Sequence, residues 1–170
     1  MSSHSFPTRR SSDLKPIDLT TVCHDAIEVV RPSTLAKRIT IEFQKPTETC
    51  WLVADPDRLQ QVIWNLLSNA VKFTETGGVV KLVLKRKYGQ IEATVTDTGR
   101  GIAPEFLPFI FERFRQADSG AVREHGGLGL GLSIVRTIVE MHGGTIHATS
   151  AGEGQGARFS VRLPGPPDLC

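Results

Sequence analysis

The sequence contains no apolar run approaching the ~20 residues that a bilayer-spanning helix requires. It shows no stretch with the charged and apolar regions of a secretory signal. Charge of one sign is scarce too, with Lys and Arg numbering 20 against 18 Asp and Glu, a net of +2. So small an excess gives no general electrostatic attraction for nucleic acid or an anionic membrane. The basic run Lys85-Arg86-Lys87 sits at a hairpin tip and reads as a solvated turn. Cysteines are few. Cys23, Cys50 and Cys170 are odd in number and too dispersed for a metal-type pair, and they read as reduced thiols of a cytoplasmic segment. Familiar nucleotide signatures are missing as well. Neither Gly127-x-Gly129 nor Gly129-x-Gly131 continues to a third glycine with dinucleotide spacing, since Leu132 and Ile134 stand there. No Gly-Lys-Ser/Thr follows a glycine loop, and the protein-kinase catalytic loop with its Asp-Phe-Gly is absent.

What is present fits a single globular domain: 170 residues, 39% hydrophobic and 22% charged. Residues 1–14, "MSSHSFPTRRSSDL", have no apolar period. They read as a disordered tail, and His4 to Leu14 resemble the conceptual translation of a sequencing-library adapter. The domain is expected over residues 15–164, with 165–170, "GPPDLC", as the start of a linker.

Along that domain, Leu19, Val22, Ala26, Ile27 and Val30 recur at helical spacing behind Asp18 or Thr20 as N-cap, and Pro32 is expected to break or restart that helix. "ITIEFQ" and "CWLVA" read as strands joined through "KPTET". A second helix opens with Asp55 as N-cap and Pro56 at its first position, and "TGG" closes it. "VVKLVLKRKYGQIEATVTD" reads as a hairpin turning near Tyr88-Gly89. "SIVRTIVEMHGG" is a further helix, and "TIHATS" and "ARFSVRLP" a last strand pair around "GEGQG". Long helices mixed with hairpins imply an α+β fold, a mixed, mostly antiparallel sheet with helices on one face.

The second helix carries two stripes. Leu59, Val62, Ile63, Leu66, Leu67, Ala70 and Val71 form the apolar one. Arg58, Gln61, Asn65, Asn69 and Lys72 form a polar one beside it. A solvated helix edge accounts for such a stripe on spacing alone. Asn is a poor helix former, however, and two of them four residues apart are unusual. Amide oxygens suit a magnesium ion that completes its shell with water and phosphate, and Lys72 adds a compact positive charge. The stripe therefore also reads as a metal-phosphate site, if nucleotide-binding loops exist elsewhere.

Two such loops follow. "DTGRGIAP" comes directly after a strand. Gly99 and Gly101 permit close backbone approach, and the Asp97 carboxylate, which only accepts hydrogen bonds, suits the exocyclic amine of adenine. It also reads as an ordinary turn. "HGGLGLGLSIV" is glycine-rich and runs into a helix, where exposed amides favour phosphate. Between them, Phe106, Phe109, Phe111 and Phe114 precede a Ser-, Gly- and Arg-rich stretch, the composition of an aromatic-tethered lid or of a plain surface loop.

"NLLSNAVKFT", "DTGRGI", "FERF" and "GGLGLGL", in this order, closely resemble the N, G1, F and G2 boxes of bacterial sensor histidine kinases. The resemblance covers Lys15 to about Pro164 and implies the catalytic, ATP-binding domain, whose fold is the two-layer α/β sandwich shared with gyrase-type ATPases (the Bergerat fold). It implies ATP and Mg2+ as ligands. Asn69 would be the principal magnesium ligand, Asn65 would assist, and Lys72 would contact phosphate. Phe73 would line the nucleotide pocket. Asp97 would bind the adenine amine in a pocket shaped by Gly99, Gly101 and Ile102. Phe111 and Phe114 would anchor the lid. Gly127, Leu128, Gly129, Leu130 and Gly131 would form the phosphate loop. The resemblance implies a lid arginine near the γ-phosphate, for which Arg115 stands, although many relatives place it where this chain has Gln116. Gyrase-type ATPases carry a general-base Glu where Asn65 stands, so slow hydrolysis and transfer to a protein histidine are expected. The partners implied are a histidine-acceptor dimerisation domain, expected to be missing from this chain, and a response-regulator receiver domain. His24 is an unsuitable acceptor, because Arg31 and Pro32 fall at the wrong spacing after it. His142 and His147 read as structural.

Overall fold

A computed structural model describes residues 13–112 and 128–166. Its elements, in chain order, are β1 (Lys15–Asp18), α1 (Leu19–Lys37), β2 (Thr40–Gln44), β3 (Trp51–Ala54), α2 (Pro56–Phe73), β4 (Val79–Lys87), β5 (Gln90–Asp97), α3 (Leu128–Met141), β6 (Thr145–Thr149) and β7 (Ala157–Pro164). A 3-10 turn spans Leu107–Phe109.

The main sheet has the order β2-β4-β5-β7-β6. Its β2–β4 pair is parallel and the others are antiparallel. Period-2 alternation fixes which face is covered. Val80, Leu82 and Leu84 of β4, Ile91, Ala93 and Val95 of β5, and Phe159, Val161 and Leu163 of β7 are buried in one cluster with the apolar stripes of α1, α2 and α3. The opposite face is polar and braced across strands by Glu42–Lys81 at 3.7 Å, Glu92–Arg162 at 3.0 Å and a Thr94–Ser160 hydroxyl contact at 3.3 Å. The two-layer sandwich with helices on one face is thus the observed architecture.

Asp18 caps α1, its carboxylate accepting from the Thr20 N–H at 3.0 Å. Asp55 caps α2 by accepting from the N–H groups of Asp57 and Arg58. The hairpin turns at Tyr88 (φ 50°) and Gly89 (φ 77°), as expected.

"ITIEFQ" and "CWLVA" are strands as expected, and β3 pairs with β1 in a separate two-stranded sheet. Three local expectations need correction. Pro32 neither breaks nor restarts α1, which runs on to Lys37. Pro32 lies on the exposed face, where the Glu28 carbonyl it leaves without an N–H can meet water. α2 ends at Phe73, before "TGG", where the Thr74 hydroxyl turns back to the Ala70 carbonyl at 2.6 Å. α3 starts at Leu128, so the second half of the glycine stretch is already helical.

Candidate functional site

The polar stripe of α2 lies at the edge of the core. Asn65 and Asn69 are half-buried and Lys72 is exposed. Among the described residues, the Asn69 side-chain nitrogen is the one buried polar side-chain atom without a hydrogen-bond partner. Buried amides normally find partners, and a carboxamide presents either its oxygen or its nitrogen after a 180° turn. An amide left in this state on a helix edge fits a group that receives a ligand, so Asn69 suits a metal-phosphate moiety. Among the described residues no three His, Cys, Asp or Glu side chains cluster. An ion held by Asn69 would take a neutral amide oxygen and complete its shell from water and ligand phosphate, a set that suits magnesium.

Directly beyond Asn69, the C-terminus of α2 meets the loop after β5. The Arg100 N–H donates to the Phe73 carbonyl at 3.1 Å. The Arg100 guanidinium carbon lies 5.7 Å from the centre of the Phe73 ring. Gly99 is needed here, because a Cβ would collide with the Phe73 carbonyl oxygen. Asn69, Phe73, Asp97 and Gly99 are thereby gathered where α2 and β5 end.

Asp97 is 8% exposed. Its carboxylate accepts from the Gly99 N–H at 2.7 Å. Burial pushes its pKa above the ordinary carboxylate value, and the nearby Gly99 and Ala157 N–H groups oppose the shift. A buried carboxylate held by backbone is a fixed hydrogen-bond acceptor.

The loop Thr98–Ile102 is braced from a second loop, Ser150–Gly156. The Gly154 N–H donates to the Arg100 carbonyl at 2.6 Å and the Gly156 N–H to the Gly99 carbonyl at 3.0 Å. The Ile102 N–H donates to the Ser150 hydroxyl at 3.0 Å. Gly101 (φ 74°) takes a left-handed conformation, and a Cβ there would strike the Gly152 carbonyl. Sequence reading marked "GEGQG" only as a turn. Its five-residue glycine spacing was the available signal, and the 48-residue separation of Ser150 from Ile102 hid the contact.

The expected lid anchors divide. Phe111 packs edge-on against Phe159, with ring centres 6.0 Å apart. Phe114, Arg115 and Gly127 lie outside the described residues. Leu128, Gly129, Leu130 and Gly131 form the first turn of α3, which packs on α2 through the common core. A Cβ at Gly131 would meet nothing within 4 Å, so open space borders that turn.

A depression of about 340 Å3 beside Asp97 is lined by Thr96, Thr149, Gln155 and Arg158 among others. Thr96 and Arg158 alternate with the buried residues of their strands, so it opens on the polar sheet face, away from Asn69. It is not the pocket the motifs point to; the unpartnered amide and the open space at Gly131 outweigh it.

A residue that the sequence does not mark, Lys37, closes the same C-terminal end of α2. Lys37 Nζ donates to the carbonyls of Val71 at 2.8 Å and Lys72 at 3.2 Å, a cation on a helix C-terminus. His142 is structural, as expected. Its Nε2 accepts from the Asp55 N–H at 3.2 Å and its Nδ1 lies 2.9 Å from the Ile138 carbonyl, joining α3 to the start of α2.

The profile of the "Histidine kinase-, DNA gyrase B-, and HSP90-like ATPase" family matches residues 54–167. Hybrid signal transduction histidine kinase D of Dictyostelium discoideum is 38% identical over 182 residues, covering 89% of this chain and 12% of its own length. Among solved structures, the mycobacterial sensor histidine kinase MprB superposes with a TM-score of 0.78 at 31% identity, over 90% of this chain and 98% of that one. Full-length ShkA in complex with AMPPNP gives 0.77 at 33% identity, over 91% and 32%. The chain belongs to the histidine kinase-, DNA gyrase B- and HSP90-like ATPase family, and is an ATP-binding catalytic domain of the histidine-kinase type.

Proposed function

We propose that the domain binds ATP with magnesium and donates the γ-phosphoryl group to a histidine on a separate acceptor-helix domain, from which a response-regulator receiver domain takes it. The observation that carries this reading is the unpartnered amide of Asn69 standing one helical turn from the loop that holds Asp97. Asp97 would accept from the adenine amine and repel the guanine carbonyl. Gly99, Gly101 and Ile102 shape that end of the pocket, and Phe73 lines it. Asn69, with Asn65 beside it, would hold magnesium, which neutralises charge on the transferring phosphoryl group when bound. Lys72 is exposed at the same edge and would meet phosphate, as would the backbone of Gly127, Leu128, Gly129, Leu130 and Gly131. Phe111, with Phe114 and Arg115, would belong to the lid.

An amide cannot take a proton from water as a carboxylate can. Asn65 therefore favours phosphoryl transfer over hydrolysis, and disfavours a gyrase-like ATPase. A fluorescent ATP analogue should bind in a magnesium-dependent way, and a supplied acceptor-helix domain should become phosphorylated on histidine. No binding, or equal binding by Asp97→Ala, would favour an inert interaction module. Rapid ADP formation without phosphohistidine would favour the ATPase. Asn65→Asp should change the balance between the two reactions, and identical kinase and hydrolysis rates would remove Asn65 from the mechanism.

A further inference from the structure

The Ser150 hydroxyl sits where the two site loops cross. It accepts from the Ile102 N–H at 3.0 Å and the Gly152 N–H at 3.2 Å. Its own proton goes to the Gly156 carbonyl at 2.7 Å, the Gly152 carbonyl being farther at 3.3 Å. A hydroxyl has one proton and two acceptor sites, so its capacity is fully used.

The Gly156 N–H donates to the Gly99 carbonyl at 3.0 Å, and the Gly99 N–H donates to the Asp97 carboxylate at 2.7 Å. Gly99 also lies in the loop whose far end Ser150 holds through Ile102. Both ends of the loop that supports the carboxylate therefore trace back to one side chain. The surrounding contacts leave little slack, since a Cβ on Gly156 would collide with the Asp97 carbonyl.

We propose that Ser150 is a positioning residue for adenine recognition: its hydroxyl orients the Gly156–Ala157 peptide and the Gly99–Ile102 loop, and through them the Asp97 carboxylate. The inference rests on the reading of Asp97 as the adenine acceptor. Without the hydroxyl, the peptide plane can rotate and the Ile102 N–H loses its partner. The cost falls on nucleotide selection rather than on the core, because Ser150 follows β6 at the sheet edge and lies outside the core cluster.

The test uses the full chain and a fluorescent ATP analogue, displaced by ATP or by GTP. Ser150→Ala should weaken ATP binding about tenfold, equivalent to about 1.4 kcal/mol, and reduce the preference for ATP over GTP, with Ser150→Thr restoring both. The carboxyl carbon of Asp97, followed by NMR, should titrate at higher pH in Ser150→Ala, because a donor to the carboxylate is loosened. A purely structural role would lower the melting temperature and leave selectivity and the Asp97 titration as in wild type; that outcome overturns the proposal. If wild type fails to bind, or Asp97→Asn binds equally well, the functional reading itself fails. If Ser150→Ala does not fold, amide exchange in the wild type decides. The Ile102 amide should be protected, and exchange at the rate of an open chain overturns the proposal.

Discussion

Asp97 is the residue where the demands of folding and of the proposed adenine recognition would part. Burial raises its pKa, so its charged form is a cost to the folded state. The sign follows directly. Stability is greatest below the ordinary carboxylate pKa of about 3.9 and falls as pH rises through the raised folded value. Asp97→Asn keeps an acceptor for the Gly99 N–H and removes the charge. It should melt at or above the wild-type temperature at pH 7, the difference vanishing in scans at about pH 3.5, while adenine-nucleotide binding is lost. A variant that loses stability at pH 7 would show the N–H bonds to outweigh burial. Lys37 makes a complementary case. Lys37→Met removes the donor to the Val71 and Lys72 carbonyls and should cost about 1 kcal/mol in denaturant unfolding. Asp97 and the two asparagines were legible as candidates only through the ordered motifs around them, since a turn and a solvated helix edge account for them singly. Lys37 and Ser150 were not, because their partners lie 34 and 48 residues away and only the tertiary fold brings them together.

At the level of elements, helices with caps and strands with alternation were legible because their causes are local. α2 begins where Asp55-Pro56 dictates, and β4 and β5 turn where Tyr88-Gly89 permits. What escaped has non-local causes. β1 is four residues with a proline, KPID, and exists through its pairing with β3. Pro32 survives inside α1 because it faces outward, where water can meet the Glu28 carbonyl. The hairpin also carries a cost at a known place. Tyr88 holds φ 50° and is 94% exposed, so its ring offsets little of the left-handed penalty. Tyr88→Asn suits that conformation and should raise stability by about 0.5–1 kcal/mol, read as a higher denaturant midpoint with an unchanged slope. A lower midpoint would mean that the Tyr88 ring makes a contact worth more than the backbone penalty.

On the scale of the whole molecule, α2 serves as spine for both core and site. One stripe of it supplies seven buried residues between sheet and neighbouring helices, and the adjoining stripe presents Asn65 and Asn69. Stability and nucleotide binding should therefore be coupled through it. Leu67 is fully buried and faces away from the asparagines. Leu67→Ala removes methylenes from a packed interior and should cost about 2–5 kcal/mol, a large share of the roughly 5–15 kcal/mol that holds such a domain together. Because ligand binds only the folded state, ATP with magnesium at a hundred times its dissociation constant should return about 2.7 kcal/mol. Thermal melting of Leu67→Ala should thus show a lowered midpoint that saturating nucleotide largely restores, with intrinsic affinity in the folded fraction unchanged. Asn69→Ala should behave in reverse, melting near the wild-type temperature without ligand and gaining little from it. If Leu67→Ala instead bound weakly even when fully folded, the core and site stripes of α2 would not be separable, and the packing of the helix would itself set the position of Asn69.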